Sequence, residues 1–260
     1  MSVMRFAKLH GLGNDFVLLD LRGGGEPLPA ERALQLCDRH LGVGADGILT
    51  LLPGERMLVQ NADGSVPEMC GNGARCAALW IATAGGTKPA QAHVMLLTDA
   101  GSRPCVVETS DPRSGLVEVD MGFGQIEAAR PLPLGDRSVD AWPVSMGNPH
   151  RVMFVDGNPL SLAKEFGPAL SRAEDANIEF VTRNGVQAWR AAVYERGAGL
   201  TQACGTGACA VAVAAVTRGY SLRNQEILVE LPGGVLSVRV DLENRVHMRG
   251  PAQLVFVGEI

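Results

Sequence analysis

Apolar residues along this chain come in short runs broken by glycine, proline and polar residues, a rhythm that predicts many strands joined by tight turns. Runs at 16–21, 47–52, 57–60, 93–98, 105–108 and 116–120 read as strands of a first half. Runs at 152–156, 178–182, 189–194, 227–231, 236–240 and 254–257 continue the pattern. Pro232-Gly233-Gly234 and Glu243-Asn244 read as hairpin turns between the last of these. Helical patterns are fewer. Positions 29–40 start with a proline near the first turn and stop before Gly42. Positions 160–171 read as a second helix, interrupted by Gly167-Pro168. Two alanine-rich segments, 71–84 and 205–218, are apolar around most of their circumference, as expected of a helix buried inside a sheet wrap.

These two segments belong to a repeat. Cys70-Gly-Asn-Gly-Ala-Arg-Cys76 and Cys204-Gly-Thr-Gly-Ala-Cys209 each open an alanine-rich stretch, and each stretch meets a glycine fifteen residues after its first cysteine, Gly85 and Gly219. Nine residues before the cysteines stand Asn61, opening Asn-Ala-Asp-Gly-Ser, and Glu195, opening Glu-Arg-Gly-Ala-Gly. The expectation is an α+β fold of two pseudo-symmetric domains, each a mixed, mostly antiparallel sheet curled around a central helix. The first domain is expected over residues 1–121 plus about 250–260, where the last strand returns. The second is expected over 122–249, entered through the proline- and glycine-rich stretch near 122–135.

The chain has 260 residues, enough for one large domain or two modest ones, with a hydrophobic content of 46%. Its net charge is -5 and no Lys/Arg run occurs, which gives no support to a nucleic-acid or membrane-surface role. The start lacks the unbroken apolar core of a secretory signal, and no stretch of eighteen apolar residues is present. Six cysteines in such a chain read as thiols rather than as a disulfide framework, with the cytoplasm as the expected compartment.

A cysteine beside a buried helix is usually a small packing residue, and that reading fits Cys37, Cys76, Cys105 and Cys209. Cys70 and Cys204 differ, because both occupy the same place in two glycine-rich helix starts. A helix N-terminus has unsatisfied N–H groups and positive partial charge, which favour a thiolate and bind a carboxylate. A thiol and a carboxylate pocket in one place point to an amino acid or another carboxylic acid as substrate. A metal site is a poor reading: six and five residues along a helix rotate by roughly 240° and 140°, so the second cysteine of each pair points away from the first. Gly11-Leu-Gly-Asn14 and Gly42-Val-Gly44-Ala-Asp46 lack a full nucleotide fingerprint and read as turns. Taken singly, His150 reads as a core histidine, Asn14, Asn61, Asn148 and Asn177 as turn residues, and Glu195-Arg196 as a solvated charge pair.

Together these segments resemble the diaminopimelate epimerase family. The pieces are His10-Gly-Leu-Gly-Asn14-Asp-Phe, Asn61-Ala-Asp-Gly-Ser, Met69 to Cys76, Ser145-Met-Gly-Asn148-Pro-His150, and Glu195-Arg196-Gly-Ala-Gly-x-Thr-x-Ala-Cys204-Gly-Thr-Gly-Ala, in the family's order and spanning nearly the whole chain. The resemblance implies a two-domain fold with its active site between the halves, a homodimer, and no cofactor or metal. It implies interconversion of LL- and meso-diaminopimelate, toward lysine and cell-wall precursors. By resemblance Cys70 and Cys204 are the acid–base pair. Asn14, Asn61, Asn148, Asn177 and Arg196 hold the distal amino-acid end; the backbone of Gly71, Asn72, Gly205 and Thr206 holds the reacting carboxylate; Glu195 and His150 flank the reacting amine and the thiols. One departure is Gly47, where some members carry a glutamine that reaches substrate.

Two rivals stay in view. A proline or hydroxyproline racemase pairs thiols in the same fold but has no need of the asparagine set. A redox-sensing binder would use two cysteines as a switch but has no need of two carboxylate-binding helix starts. Isomerases related to phenazine biosynthesis share the architecture and are not expected to carry both thiols.

Overall fold

The computed structural model describes residues 4–83 and 90–260. It divides into two compact units, Met1–Val119 with Gly250–Ile260, and Asp120–Arg249. Among the described residues there are four helices, and most of the remainder is strand.

The first unit opens with β1 (Arg5–Gly11) and β2 (Asn14–Asp20), paired antiparallel through the two-residue turn Leu12-Gly13. Both turn residues have positive φ, 57° and 82°, the combination that matches the twist of a tight hairpin. Glycine adopts it freely, whereas Leu12 does so against its own Cβ. Helix α1 (Ala30–Cys37) then leads to β3 (Gly47–Leu52), which lies parallel to β2 and antiparallel to β4 (Arg56–Asn61). Helix α2 (Gly71–Thr83) follows, then the antiparallel strands β5 (Gln91–Thr98), β6 (Gly101–Asp111) and β7 (Ser114–Phe123). β5 is parallel to β4.

The second unit carries the short β8 (Gln125–Ile126), then β9 (Arg130–Leu134), β10 (Arg137–Ser145) and β11 (Pro149–Phe154), followed by helix α3 (Pro159–Glu174). Next come β12 (Asn177–Arg183), β13 (Ala188–Glu195), the two-residue β14 (Gly199–Leu200), helix α4 (Gly205–Thr217), β15 (Ile227–Leu231), β16 (Gly234–Val240) and β17 (Arg245–Glu259). From β1 to β7 successive pairings run antiparallel, parallel, antiparallel, parallel, antiparallel, antiparallel. From β10 through β11, β12, β13, β15 and β16 to β17 they repeat that order. Each parallel step is crossed by a helix: α1 and α2 in one unit, α3 and α4 in the other. The doubled architecture expected from the repeated cysteine segments is therefore present. The chain passes between units within β7 and again within β17, whose final residues pair with β1.

Helices α2 and α4 are buried on nearly every face, α4 from Gly205 through Val216, in keeping with their all-round apolar sequence. Helices α1 and α3 each bury one stripe, α1 against Phe6, Val17, Leu19 and Ile48, α3 against Leu134, Met153, Ile178 and Phe180. α4 ends before Gly219, which is left-handed at φ 70°; the corresponding end predicted at residue 84 and Gly85 lies outside the described residues.

Several elements differ from expectation. α1 stops at Cys37 rather than running to residue 40, because Asp38 turns extended and its Oδ1 accepts from the N–H groups of His40 and Leu41 at 2.7 and 2.8 Å. Gly167-Pro168 does not interrupt α3. A Cβ at 167 would lie 2.7 Å from the Tyr194 side chain, so that glycine serves packing, and the helix is anchored by Asn158, whose Oδ1 accepts from Leu160 and Ser161. β1 was hidden because Lys8 breaks its apolar run, yet Lys8 is buried, its ammonium on Asp15 and on the Gly44 carbonyl. β9 was hidden by Pro131 and Pro133, tolerated because it pairs along one side with β10.

Candidate active site

Cys70 and Cys204 each stand immediately before a buried helix. Cys204 is the N-cap of α4, in extended conformation, and its Sγ accepts from the Gly207 N–H at 3.3 Å. Cys70 Sγ accepts from the Gly73 N–H at the same 3.3 Å. The carbonyls of Cys70 and Cys204 start the helical ladders, accepting from Ala74 and Ala208. Each sulfur thus sits where a serine or aspartate would cap a helix, at the positive end of the backbone dipoles. The third helical residue is a tightly packed glycine in both. A Cβ at Gly73 would meet Leu49 Cδ2 at 2.8 Å and Cys70 Sγ at 3.5 Å; one at Gly207 would meet Glu179 Oε1 at 3.1 Å and Cys204 Sγ at 3.2 Å. All six cysteines are present as thiols.

In the second unit, strand ends deliver polar groups around Cys204. His150, from β11, and Glu179, from β12, have fully buried side chains, with His150 Nδ1 2.6 Å from Glu179 Oε1. His150 Nε2 lies 3.0 Å from Asn148 Oδ1, and Asn148 Nδ2 donates to Thr206 Oγ1 at 3.4 Å. The Thr206 hydroxyl is 3.5 Å from Cys204 Sγ. Asn177, at the start of β12, accepts the Arg196 backbone N–H on its Oδ1 at 2.8 Å. The Arg196 guanidinium turns to Asp175 at 3.0 Å on an exposed surface. Glu195, the last residue of β13, accepts from the Thr201 hydroxyl at 2.5 Å.

The electrostatics follow from these neighbours. Burial pushes the Cys204 thiol well above the ordinary thiol range, and the carboxylates of Glu195 and Glu179 push it further, against the pull of Thr206 and the Gly207 N–H. These surroundings disfavour the Cys204 thiolate. Burial likewise raises the Glu195 carboxyl, opposed by hydrogen bonds from Thr201 and Cys204 and by the charge of His150.

In the first unit the polar groups form a directional chain. Arg75, fully buried, donates from Nη2 to Asn72 Oδ1 at 3.0 Å and from Nε to the Pro251 carbonyl at 3.2 Å. Asn72 Nδ2 donates to Asn14 Oδ1 at 2.9 Å, and Asn14 Nδ2 donates to Asp46 Oδ2 at 2.8 Å. Both amide oxygens are used as acceptors, which fixes which way each amide faces. Asp46 and Asp15 are in turn clamped by Arg39 at 2.7 Å. Burial alone would raise Asp15, but hydrogen bonds from Arg39 and Lys8 outweigh it and hold the carboxyl at about 2. Asn61 ends β4 and turns its amide to Ser65 at 2.9 Å. Gly47 opens β3, and a Cβ there would lie 2.7 Å from the Gln60 carbonyl oxygen, so this backbone has no room for a longer residue.

The structure thus gathers Asn14, Gly71 and Asn72 with Cys70, and gathers Asn148, His150, Asn177, Glu195, Gly205 and Thr206 with Cys204. Sequence reasoning missed Glu179, although its position two residues after Asn177 on one strand places both on one face. It also missed Arg75, Asp46 and Thr201.

A family model described as diaminopimelate epimerase matches residues 6–126 and 143–255. The chain belongs to the diaminopimelate epimerase family. It is 42% identical over 282 residues to a diaminopimelate epimerase of Synechocystis, covering 98% of each chain, and 39% identical over 283 residues to one of Nostoc punctiforme, covering 99% of each. Among solved structures it is similar to a hydroxyproline epimerase from Agrobacterium vitis, at 16% identity and TM-score 0.76, covering 100% of this chain and 91% of that one. It is also similar to a Bacillus anthracis phenazine biosynthesis protein, at 16% identity and TM-score 0.72, covering 100% and 99%. These two likenesses speak for the fold; the diaminopimelate epimerase family model and full-length relatives decide against the racemase and sensor readings.

Proposed function

We propose that this chain interconverts LL- and meso-2,6-diaminopimelate without a cofactor, with Cys70 and Cys204 exchanging protons at the α-carbon. The observation that carries the reading is the paired geometry of the two sulfurs, each 3.3 Å from an N–H of the first turn of its own buried helix. An amino-acid α-hydrogen is a very weak acid, so negative charge developing on the substrate carboxylate must be stabilised. The N–H groups that open the two helices, at Gly71 and Asn72 and at Gly205 and Thr206, supply that stabilisation. One thiolate removes the proton and the other thiol returns one to the opposite face; the roles exchange in the reverse direction. Glu195 is the carboxylate to which the Cys204 thiol is hydrogen-bonded.

The distal end of the substrate falls to Asn14, Asn61, Asn148, Asn177 and Arg196. The amide of Asn14 supports this assignment: its oxygen is taken by Asn72, so what remains toward a ligand is an N–H donor, suited to a carboxylate. At position 47 only backbone contacts a ligand. His150 orients Asn148 and stands behind Cys204. We place the enzyme in the cytoplasm as a homodimer, on the step leading to lysine and cell-wall precursors.

The test is α-carbon exchange in heavy water with LL-diaminopimelate and proline side by side. Deuterium enters diaminopimelate as it epimerises and not proline; uptake into proline alone would overturn the assignment.

A further inference from the structure

We propose that Glu179 is a positioning residue: it holds His150 as an imidazolium donating from both ring nitrogens, and so fixes the direction of a hydrogen-bond relay that ends with the Thr206 proton aimed at Cys204 Sγ. Both ring nitrogens of His150 face acceptors, Glu179 Oε1 at 2.6 Å and Asn148 Oδ1 at 3.0 Å. Beside an ionised Glu179, a neutral imidazole has one donor and cannot satisfy both. Asn177 Nδ2 stands 3.5 Å from Nδ1, too far to compete with the carboxylate. With Asn148 Oδ1 occupied, its Nδ2 donates to Thr206, and the threonine hydroxyl is left to donate to the sulfur.

The titratable groups around the ring are Glu179 on β12, Glu195 on β13 and the Cys204 thiol at the start of α4. Glu179 Oε2 has no hydrogen-bond partner among the described residues, so His150 is the one partner that compensates this fully buried carboxylate. Were the histidine neutral with its one proton on Nδ1, Asn148 would turn its amide to donate to Nε2, Thr206 would donate to Asn148, and the sulfur would lose its hydroxyl donor. The equivalent positions of the first unit hold Phe16 and Leu49, so the fold itself does not require a charged pair here.

The proposal rests on the acid–base reading of Cys204 only for its kinetic consequence; the ring state is observed without turnover. In wild-type protein with 15N-labelled histidine, the His150 resonances, identified by their absence in His150→Asn, are expected to report two protonated ring nitrogens at neutral pH. Glu179→Gln keeps the shape and is expected to leave one nitrogen bare and to lower kcat roughly 10-fold, the size of one hydrogen bond to a charged group, with KM changed less. Thr206→Val is expected to cost a similar factor in wild type and little more in the Glu179→Gln background, since the relay is already reversed. A neutral His150 in the wild-type spectrum, an unchanged ring signature in Glu179→Gln, or fully additive kinetic losses would overturn the proposal. Absence of deuterium uptake by wild type would remove the epimerase reading and leave the ring result standing.

Discussion

The two units share a strand order and a cysteine-capped central helix, yet the ground beneath the two thiols differs. Under Cys70 the first helical turn faces Leu49, with Phe16 at the neighbouring register position. Under Cys204 the same two positions are Glu179 and His150. One helix start packs on Leu49, the other on the buried His150–Glu179 pair, with Glu195 acting on its sulfur. The comparison teaches that a duplicated backbone fixes where a thiol sits and which N–H it meets, while the residues two strands away set its charge environment. The polar effort of the first unit lies elsewhere, in the Arg75–Asn72–Asn14–Asp46 chain that orients amides.

Making the first floor resemble the second is expected to have the largest effect on stability. Leu49→Glu buries a carboxylate with no histidine at position 16, and should cost about 3–5 kcal/mol in denaturant unfolding. Near-wild-type stability would mean that the first floor already offers a cationic partner, which breaks the contrast. Next is Asp15→Asn, which removes the carboxylate shared by Lys8 and Arg39. Asp15 is held at about 2 against an ordinary 3.8, so its contribution is complete above the ordinary value and fades as pH falls through about 2. The variant should lose about 2 kcal/mol at neutral pH, with the gap to wild type closing in strong acid. A gap independent of pH would assign the loss to packing instead. Smallest in stability is Glu195→Gln. Burial still raises the Cys204 thiol, but the larger of its two carboxylate contributions is gone, so its alkylation profile should move to lower pH. A shift upward would mean that Glu195 is not charged beside the sulfur.

How much of this was legible follows from how local each signal is. The cysteine segments announced themselves because capping, glycine spacing and apolar helix lie within fifteen residues and occur twice. Asn14, Asn148 and Asn177 read singly as turn residues and entered the site only through the family resemblance. Glu179 was not legible, because inside Asn-Ile-Glu-Phe-Val a lone carboxylate reads as the solvent face of a strand; only the pairing of His150 with Asn177 turns it inward. Arg75 reads as a surface residue of a helix until Gly11 is found packed on its guanidinium, 2.7 Å from where a Cβ would stand. β1 was obscured by a buried lysine whose carbonyl partner, Gly44, lies far along the sequence, and β9 by prolines tolerated on a strand paired along one side.

The account stands or falls on both thiols handling protons. Purified Cys70→Ala and Cys204→Ala, each checked for wild-type unfolding, should lose epimerisation of LL-diaminopimelate by roughly 10²–10⁴-fold or more, the usual worth of a positioned acid or base. Turnover near the wild-type rate in either variant would contradict it.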